Sequence, residues 1–347
     1  DIIDEAIIPF AGPNIYKSFI VKMDSLKNEK IINDWKSVPY DWRLPLHDIL
    51  ESGRKIDGGI SYLQSTSSPF MIQEIEALSR GSKTGKVSVV AHSMGGLVTK
   101  ALMMKLADIG LTDLIDTVIF VAVPQTGTPQ AIGALLHGFD QGIPLFFKAA
   151  MAREFGKNMQ GAYNLLPSAL YFESVLDPLV EFNDIRPLPW LRDATLMFGT
   201  SIKSINALYD FLLGKEGRGI PTYSDLVAPM VLNPLLVSNT RSAHHIIDSW
   251  IPPSSVRLIQ IAGWGIDTVK GITYYEAKKR GTPSLRYEPT MVLDGDGTVV
   301  VPSALFLATS SPNIERYWFN LSAHNSFFGS KKHYNILEAE SMRDFLG

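Results

Sequence analysis

The chain contains no cysteine. That excludes disulfides, thiolate metal sites and a cysteine nucleophile, while leaving the compartment open. Charge is sparse as well: 19% of residues are Asp, Glu, Lys or Arg, with a formal net charge of −3. No basic run occurs, so no nucleic-acid partner is expected. No apolar stretch has the length of a membrane span, and no repeat or low-complexity tract is visible. The chain opens at Asp1 with neither Met nor a charged n-region, the start expected where a leader has been cleaved or trimmed. A soluble protein is expected, and secreted and cytoplasmic locations are both open. Against these absences, 46% of the 347 residues are apolar. That is enough for a large core and more than one minimal domain needs, so a core with an insertion is expected.

The most informative stretch is Val87-Ser-Val-Val-Ala-His-Ser-Met-Gly-Gly96. A β-branched apolar run breaks into a Ser flanked by small residues. An apolar helical pattern follows at once in Leu97, Val98, Ala101, Leu102, Met104 and Leu106. This strand–turn–helix context is that of a nucleophile elbow, in which Ser93 is held on a strained turn above the sheet. Ala91, Gly95 and Gly96 would let strand and helix approach, and a larger residue at Ala91 or Gly95 is expected to clash. An ordinary strand–loop–helix with a surface Ser is the competing reading. His92, a neighbour of Ser93 on a sharp turn, points away and is expected to pack.

In this fold the triad follows the order Ser, Asp or Glu, His. Of the seven His, only His324 and His333 lie in the last fifth of the chain. His324 follows a strand-like run, 313–321, and is the expected base. His333 sits in a charged helix start. For the acid, Met291-Val-Leu-Asp-Gly-Asp-Gly-Thr-Val299 offers Asp294 and Asp296 on a Gly-rich turn, and spacing does not separate them. A calcium loop fails because Thr298, Val299 and Leu305 stand where ligands and a Gly are required. His244 and His245 are adjacent and do not share a ligand face. No metal and no cofactor are expected.

Strands are expected at Ala6–Phe10, Lys86–Ala91, Thr117–Val123 and Val256–Ala262, with helices at Met71–Ser79 and Val98–Ala107. Strands alternating with helices predict an α/β fold, a mostly parallel central sheet with helices on both faces. Residues 1–137 and 251–347 form the expected core. Residues 138–250, rich in Pro and aromatics, read as an inserted cap or lid.

Several phrases then bring a family into view. Ser37-Val-Pro-Tyr-Asp-Trp-Arg43, Ala91-His-Ser-Met-Gly-Gly96, Val121-Ala-Val-Pro-Gln-Thr-Gly-Thr-Pro129 and Asp140-Gln-Gly-Ile-Pro144 each resemble segments of the lecithin:cholesterol acyltransferase and lysosomal phospholipase family. So do Asn164-Leu-Leu-Pro-Ser168 and Asp294-Gly-Asp-Gly-Thr-Val299, in the family's order. The resemblance implies an α/β-hydrolase fold, a mobile lid after Gln141-Gly-Ile-Pro144, and action on acyl esters of lipids. It favours Asp296, directly before Gly-Thr-Val, as the acid. By the family's frame Ala11 offers the second oxyanion N–H, with Phe10 the alternative. The geometry of the elbow makes Met94 the first. The Cys pair that brackets the lid in animal members is absent, and no Gly stands directly after Pro9.

The expected function is cleavage of lipid acyl esters, phospholipids or glycerides, through an acyl-enzyme on Ser93. The acyl group passes to water or to an alcohol. A non-catalytic binding protein on the same fold, or an esterase for small soluble esters, is the alternative. The expected partners are a lipid or ester substrate and, at the periphery, a membrane or lipid aggregate. Phe146 and Phe147 are the lid residues expected to meet lipid, whereas uncharged Leu226–Val237 reads as the cap's own core.

Overall fold

A computed structural model describes residues 16–56, 59–63, 68–141, 148–183, 188–279, 281–322 and 336–337. The expected first strand at Ala6–Phe10 lies outside them. In chain order come α1 (Lys17–Asn28), α2 (Leu46–Ser52), β1 (Gly53–Ile56), β2 (Gly59–Tyr62) and α3 (Phe70–Gly81). Next are β3 (Val87–His92), α4 (Gly95–Asp108), β4 (Ile115–Val121), α5 (Pro129–His137) and α6 (Ala149–Gly156). Then follow α7 (Gln160–Tyr163), α8 (Tyr171–Ser174), β5 (Val180–Phe182), α9 (Pro189–Phe198) and β6 (Ser201–Ile202). The remainder are α10 (Ile205–Leu212), α11 (Pro234–Ile247), β7 (Arg257–Trp264), β8 (Thr268–Lys279), β9 (Thr282–Val292), α12 (Val301–Ala304) and β10 (Ile314–Asn320).

The chain divides into two compact units. The first comprises 1–123, 249–263 and 307–347. Its sheet has the order β10-β7-β4-β3, with β3 parallel to β4 and β4 parallel to β7. The register sets Val90 opposite Ile119, and Ile119 opposite Ile259. Ile115, Val118, Ile119, Phe120 and Val121 of β4 are all buried. Such a nearly continuous apolar run belongs to a strand covered on both faces, which is the usual state of a parallel sheet. Helices α3 and α4 pack against β3. The apolar side of α4, Leu97, Val98, Leu102, Met103 and Leu106, is buried. This is the α/β-hydrolase arrangement of a parallel strand running through a tight turn into a packed helix.

The second unit comprises 124–248 and 264–306. Its sheet has the order β6-β5-β8-β9, where β5 is parallel to β8 and β8 pairs antiparallel with β9 from Thr268↔Val292 to Lys279↔Thr282. The core is aromatic: Phe182 meets Trp190, Phe198, Phe211 and Tyr274 at ring-centroid distances of 5.8–6.3 Å. His137 is buried beside it. Its Nδ1–H donates to the Leu226 carbonyl (2.8 Å), and Nε2 lies 2.6 Å from the Tyr274 hydroxyl. Burial pushes its pKa down to about 3, so the ring is neutral and one tautomer is fixed. Met230, Leu232 and Val237 belong to this core, in line with the reading of 226–237, although Leu235 is 65% exposed.

The units divide at 123/124, 248/249, 263/264 and 306/307. The second unit also takes in 264–306. The reason is strand pairing: β8 hydrogen-bonds with β5, so the β8–β9 hairpin and the Asp296 turn group with residues 124–248.

Candidate active site

Ser93 follows the last residue of β3 with φ +52°. A left-handed conformation is uncommon for a residue with a Cβ and costs roughly 1–2 kcal/mol. Two backbone bonds hold it there: Ser93 N–H donates to the Val121 carbonyl (3.0 Å), and Gly96 N–H donates to the Ser93 carbonyl (3.0 Å). Met94 caps α4 and is buried. Its own N–H has no hydrogen-bond partner among the described residues. A helix N-terminus leaves such donors free, and they favour a developing negative charge.

A second left-handed residue, Ala122 at φ +50°, follows β4, and its N–H donates to the Ile261 carbonyl (2.8 Å). The next residue, Val123, lies against the elbow helix. A Cβ on Gly96 would stand 2.3 Å from both Val123 methyls. A Cβ on Gly95 would meet only the Tyr40 hydroxyl, at an ordinary 3.6 Å. The tight position is therefore Gly96 and not Gly95, correcting the expectation drawn from the sequence. We expect Gly96→Ala to lose about 1–3 kcal/mol by overpacking and Gly95→Ala to stay within about 0.5 kcal/mol. Urea midpoints of the two variants check this, and equal midpoints would refute it. His92 packs as expected, with Nδ1 2.9 Å from the Tyr16 hydroxyl and the two rings edge to face.

In the second unit the Asp294–Val299 turn is built around Thr268. A Cβ on Gly295 would lie 2.5 Å from Thr268 Oγ1, and the N–H of Gly297 (φ +91°) donates to that same oxygen at 2.8 Å. Thr268 Oγ1 in turn donates to the Ile266 carbonyl (2.8 Å). The two glycines of the motif thus have separate reasons, close approach at one and positive φ at the other. Asp296 is fully buried. Its Oδ1 accepts the N–H groups of Thr298 (3.0 Å) and Val299 (2.8 Å), while Oδ2 is buried with no partner among the described residues. Burial pushes the carboxyl up to about 7 against the pull of those donors. Asp294 is exposed. A carboxylate oriented through one oxygen, with the other reserved, suits a group that holds an imidazole.

His324, its alternative His333, Ala11, Phe10, Phe146 and Phe147 lie outside the described residues. His244 is buried, with Nδ1 3.1 Å from Asp248 and Nε2 on the Asn164 carbonyl, whereas His245 is exposed. The pair does not share one environment. Sequence reasoning passed over Thr268 and Ala122. A lone Thr ahead of an Asp-Gly turn carries no spacing signal, and a left-handed Ala has none at all.

The family model for lecithin:cholesterol acyltransferase matches residues 10–186. A curated relative, lecithin-cholesterol acyltransferase-like 4 of Arabidopsis thaliana, is 26% identical over 263 residues. That alignment covers 70% of this chain and 46% of the relative, so the chain spans about half the relative's length. A solved structure, that of the Tle4–Tli4 complex, is similar at 16% identity and TM-score 0.45, covering 79% of this chain and 61% of the other. With the matched residues running from 10 through the elbow to 186, more than half its length, the chain belongs to the lecithin:cholesterol acyltransferase family.

Proposed function

We propose that the chain is a serine hydrolase or acyltransferase acting on acyl esters of lipids, with Ser93 as its nucleophile. The observation that carries this reading is Ser93 itself, a non-glycine residue at φ +52° between a parallel strand and a helix start. Residues held in such conformations cluster at active sites and ligand clamps. Family membership and the relative's name support the lipid ester as substrate.

In this reading His324 takes the Ser93 proton as Oγ attacks the ester carbonyl. Asp296 steadies the imidazolium through its uncommitted oxygen. The Met94 and Ala11 amides, with Phe10 as the alternative to Ala11, hold the oxyanion, each worth about 3–4 kcal/mol in related chemistry. His324 then returns the proton to the leaving alkoxide. The acyl-enzyme passes its acyl group to water or to an alcohol, and exclusion of water by the lid favours the alcohol.

The test is a fluorophosphonate probe followed by mapping of the modified residue, alongside fatty-acid release from phospholipid and diacylglycerol vesicles. Modification at Ser93 with release of fatty acid is the expected result. An intact fold that resists the probe would point to a binding protein. Hydrolysis confined to short soluble esters would point to a general esterase.

The lid assignment makes its own prediction. Phe146→Ser with Phe147→Ser should lower activity on long-chain vesicle substrate by about tenfold or more. That follows from the roughly 1.5–3 kcal/mol that burying one such ring contributes. A short water-soluble ester should be cleaved as before. Equal activity on both substrates would remove the assignment, and a fall in melting temperature would place the two rings in the core.

A further inference from the structure

Three phenols crowd the elbow side of the first unit, and two are engaged. The Tyr16 hydroxyl is bonded to His92 Nδ1 (2.9 Å), and the Tyr62 oxygen accepts the Asp41 N–H (2.5 Å). Tyr40, between them in sequence, is the third. Its oxygen lies 3.6 Å from where a Cβ on Gly95 would stand, so it overlooks the first turn of α4, two residues past Ser93. It has no hydrogen-bond partner among the described residues.

The ring is half-buried, and burial, with Tyr16 and Tyr62 nearby, drives the phenol pKa well above 10. The hydroxyl therefore keeps its proton at every working pH and serves as a neutral donor. The hydroxyl is not among the fully buried polar atoms, so water can serve it in the empty site and a ligand oxygen can take that water's place. Gly95 keeps the approach open, because any side chain there would start from ordinary contact with the hydroxyl and grow over it.

We propose that the Tyr40 hydroxyl donates a hydrogen bond to an oxygen of the ester bound over Ser93. The ligand class is an oxygen-rich ester such as a glycerol diester, whose second oxygen function lies a few bonds from the scissile carbonyl. This inference rests on the reading of Ser93 as nucleophile. The oxyanion is served by Met94 N–H, so Tyr40 meets a neutral oxygen and binds ground state and transition state alike. Its loss then appears in KM rather than in kcat.

The experiment uses Tyr40→Phe in the full chain, with diacylglycerol in mixed micelles as substrate. KM should rise about tenfold, the effect of one neutral hydrogen bond of roughly the upper ordinary strength. The kcat should stay within about twofold, with fluorophosphonate labelling of Ser93 and the melting temperature unchanged. Gly95→Ala, which lays a methyl against the hydroxyl, should raise KM in the wild-type background and add nothing to Tyr40→Phe. An unchanged KM in Tyr40→Phe overturns the proposal. So does an equal rise in Tyr16→Phe, because that would trace the effect to packing of the cluster. A wild-type chain that the probe does not label at Ser93 instead sinks the nucleophile, and the role of Tyr40 falls with it.

Discussion

Ser93→Ala is expected to lower turnover on a lipid ester by about 10⁶-fold, the loss seen when a triad nucleophile is removed. Residual hydrolysis, about 10³–10⁴ above water, should survive because the Met94 N–H stays in place. Stability should separate from chemistry at this position. The wild-type Ser sits at φ +52°. Alanine keeps the Cβ and with it the strain, so Ser93→Ala should melt close to the wild type. Ser93→Gly relaxes the left-handed turn and should exceed Ser93→Ala by about 1 kcal/mol, while being equally inactive. Single-turnover rates and urea midpoints on the three proteins read both effects. Near-wild-type turnover in Ser93→Ala would remove this residue from the chemistry. Equal stability of the Ala and Gly forms would mean the turn is not strained.

How much of this could be read in the sequence depends on the kind of signal. Ile115–Val121 was legible because a strand covered on both faces is nearly continuously apolar, here over Val118–Val121. Val87–His92 was legible because β-branched Val87, Val89 and Val90 mark it as a strand, although only Ala91 is fully buried. The elbow was legible because its small residues have one steric purpose, although that purpose falls on Gly96 rather than Gly95. Only the partner's position, Val123 placed by left-handed Ala122, decides between the two.

The second sheet was not legible. Strand β5 has three residues and β6 two, too short to show a period. Strand β9 carries Pro283 and Pro289, which argue against a strand until one knows it lies at the sheet edge, where a missing donor is tolerated. Long-range pairing, β5 with β8 across some ninety residues, is what assigns the Asp296 turn to its unit. No local pattern encodes it. For the acid, spacing left Asp294 and Asp296 equal and the family resemblance favoured Asp296. Their surroundings differ, Asp294 being exposed and Asp296 wholly enclosed with one unbonded oxygen.

That difference sets the second large effect. Asp296→Asn should cut kcat by about 10⁴-fold, because an amide in place of the carboxylate stabilises the wrong imidazole tautomer. Asp294→Asn, on an exposed residue whose carbonyl but not its carboxylate is engaged by Val301 N–H (3.0 Å), should remain within about threefold of wild type. The buried charge adds a pH signature. Burial raises the Asp296 carboxyl from 3.8 to about 7. The folded chain therefore keeps a proton that the unfolded chain releases between those values. Where the native state binds more protons, stability falls as pH rises. The penalty is absent below about pH 4 and complete above about pH 7, at most about 4 kcal/mol for a shift of this size. Asparagine cannot ionise and carries no such term. Relative to wild type, Asp296→Asn should thus gain stability between pH 5 and pH 8 even as it loses activity. Urea midpoints at the two pH values, with kcat on the same preparations, decide the matter. A pH-independent difference would show that Asp296 does not titrate as a buried carboxyl. An active Asp296→Asn beside an inactive Asp294→Asn would move the acid to Asp294.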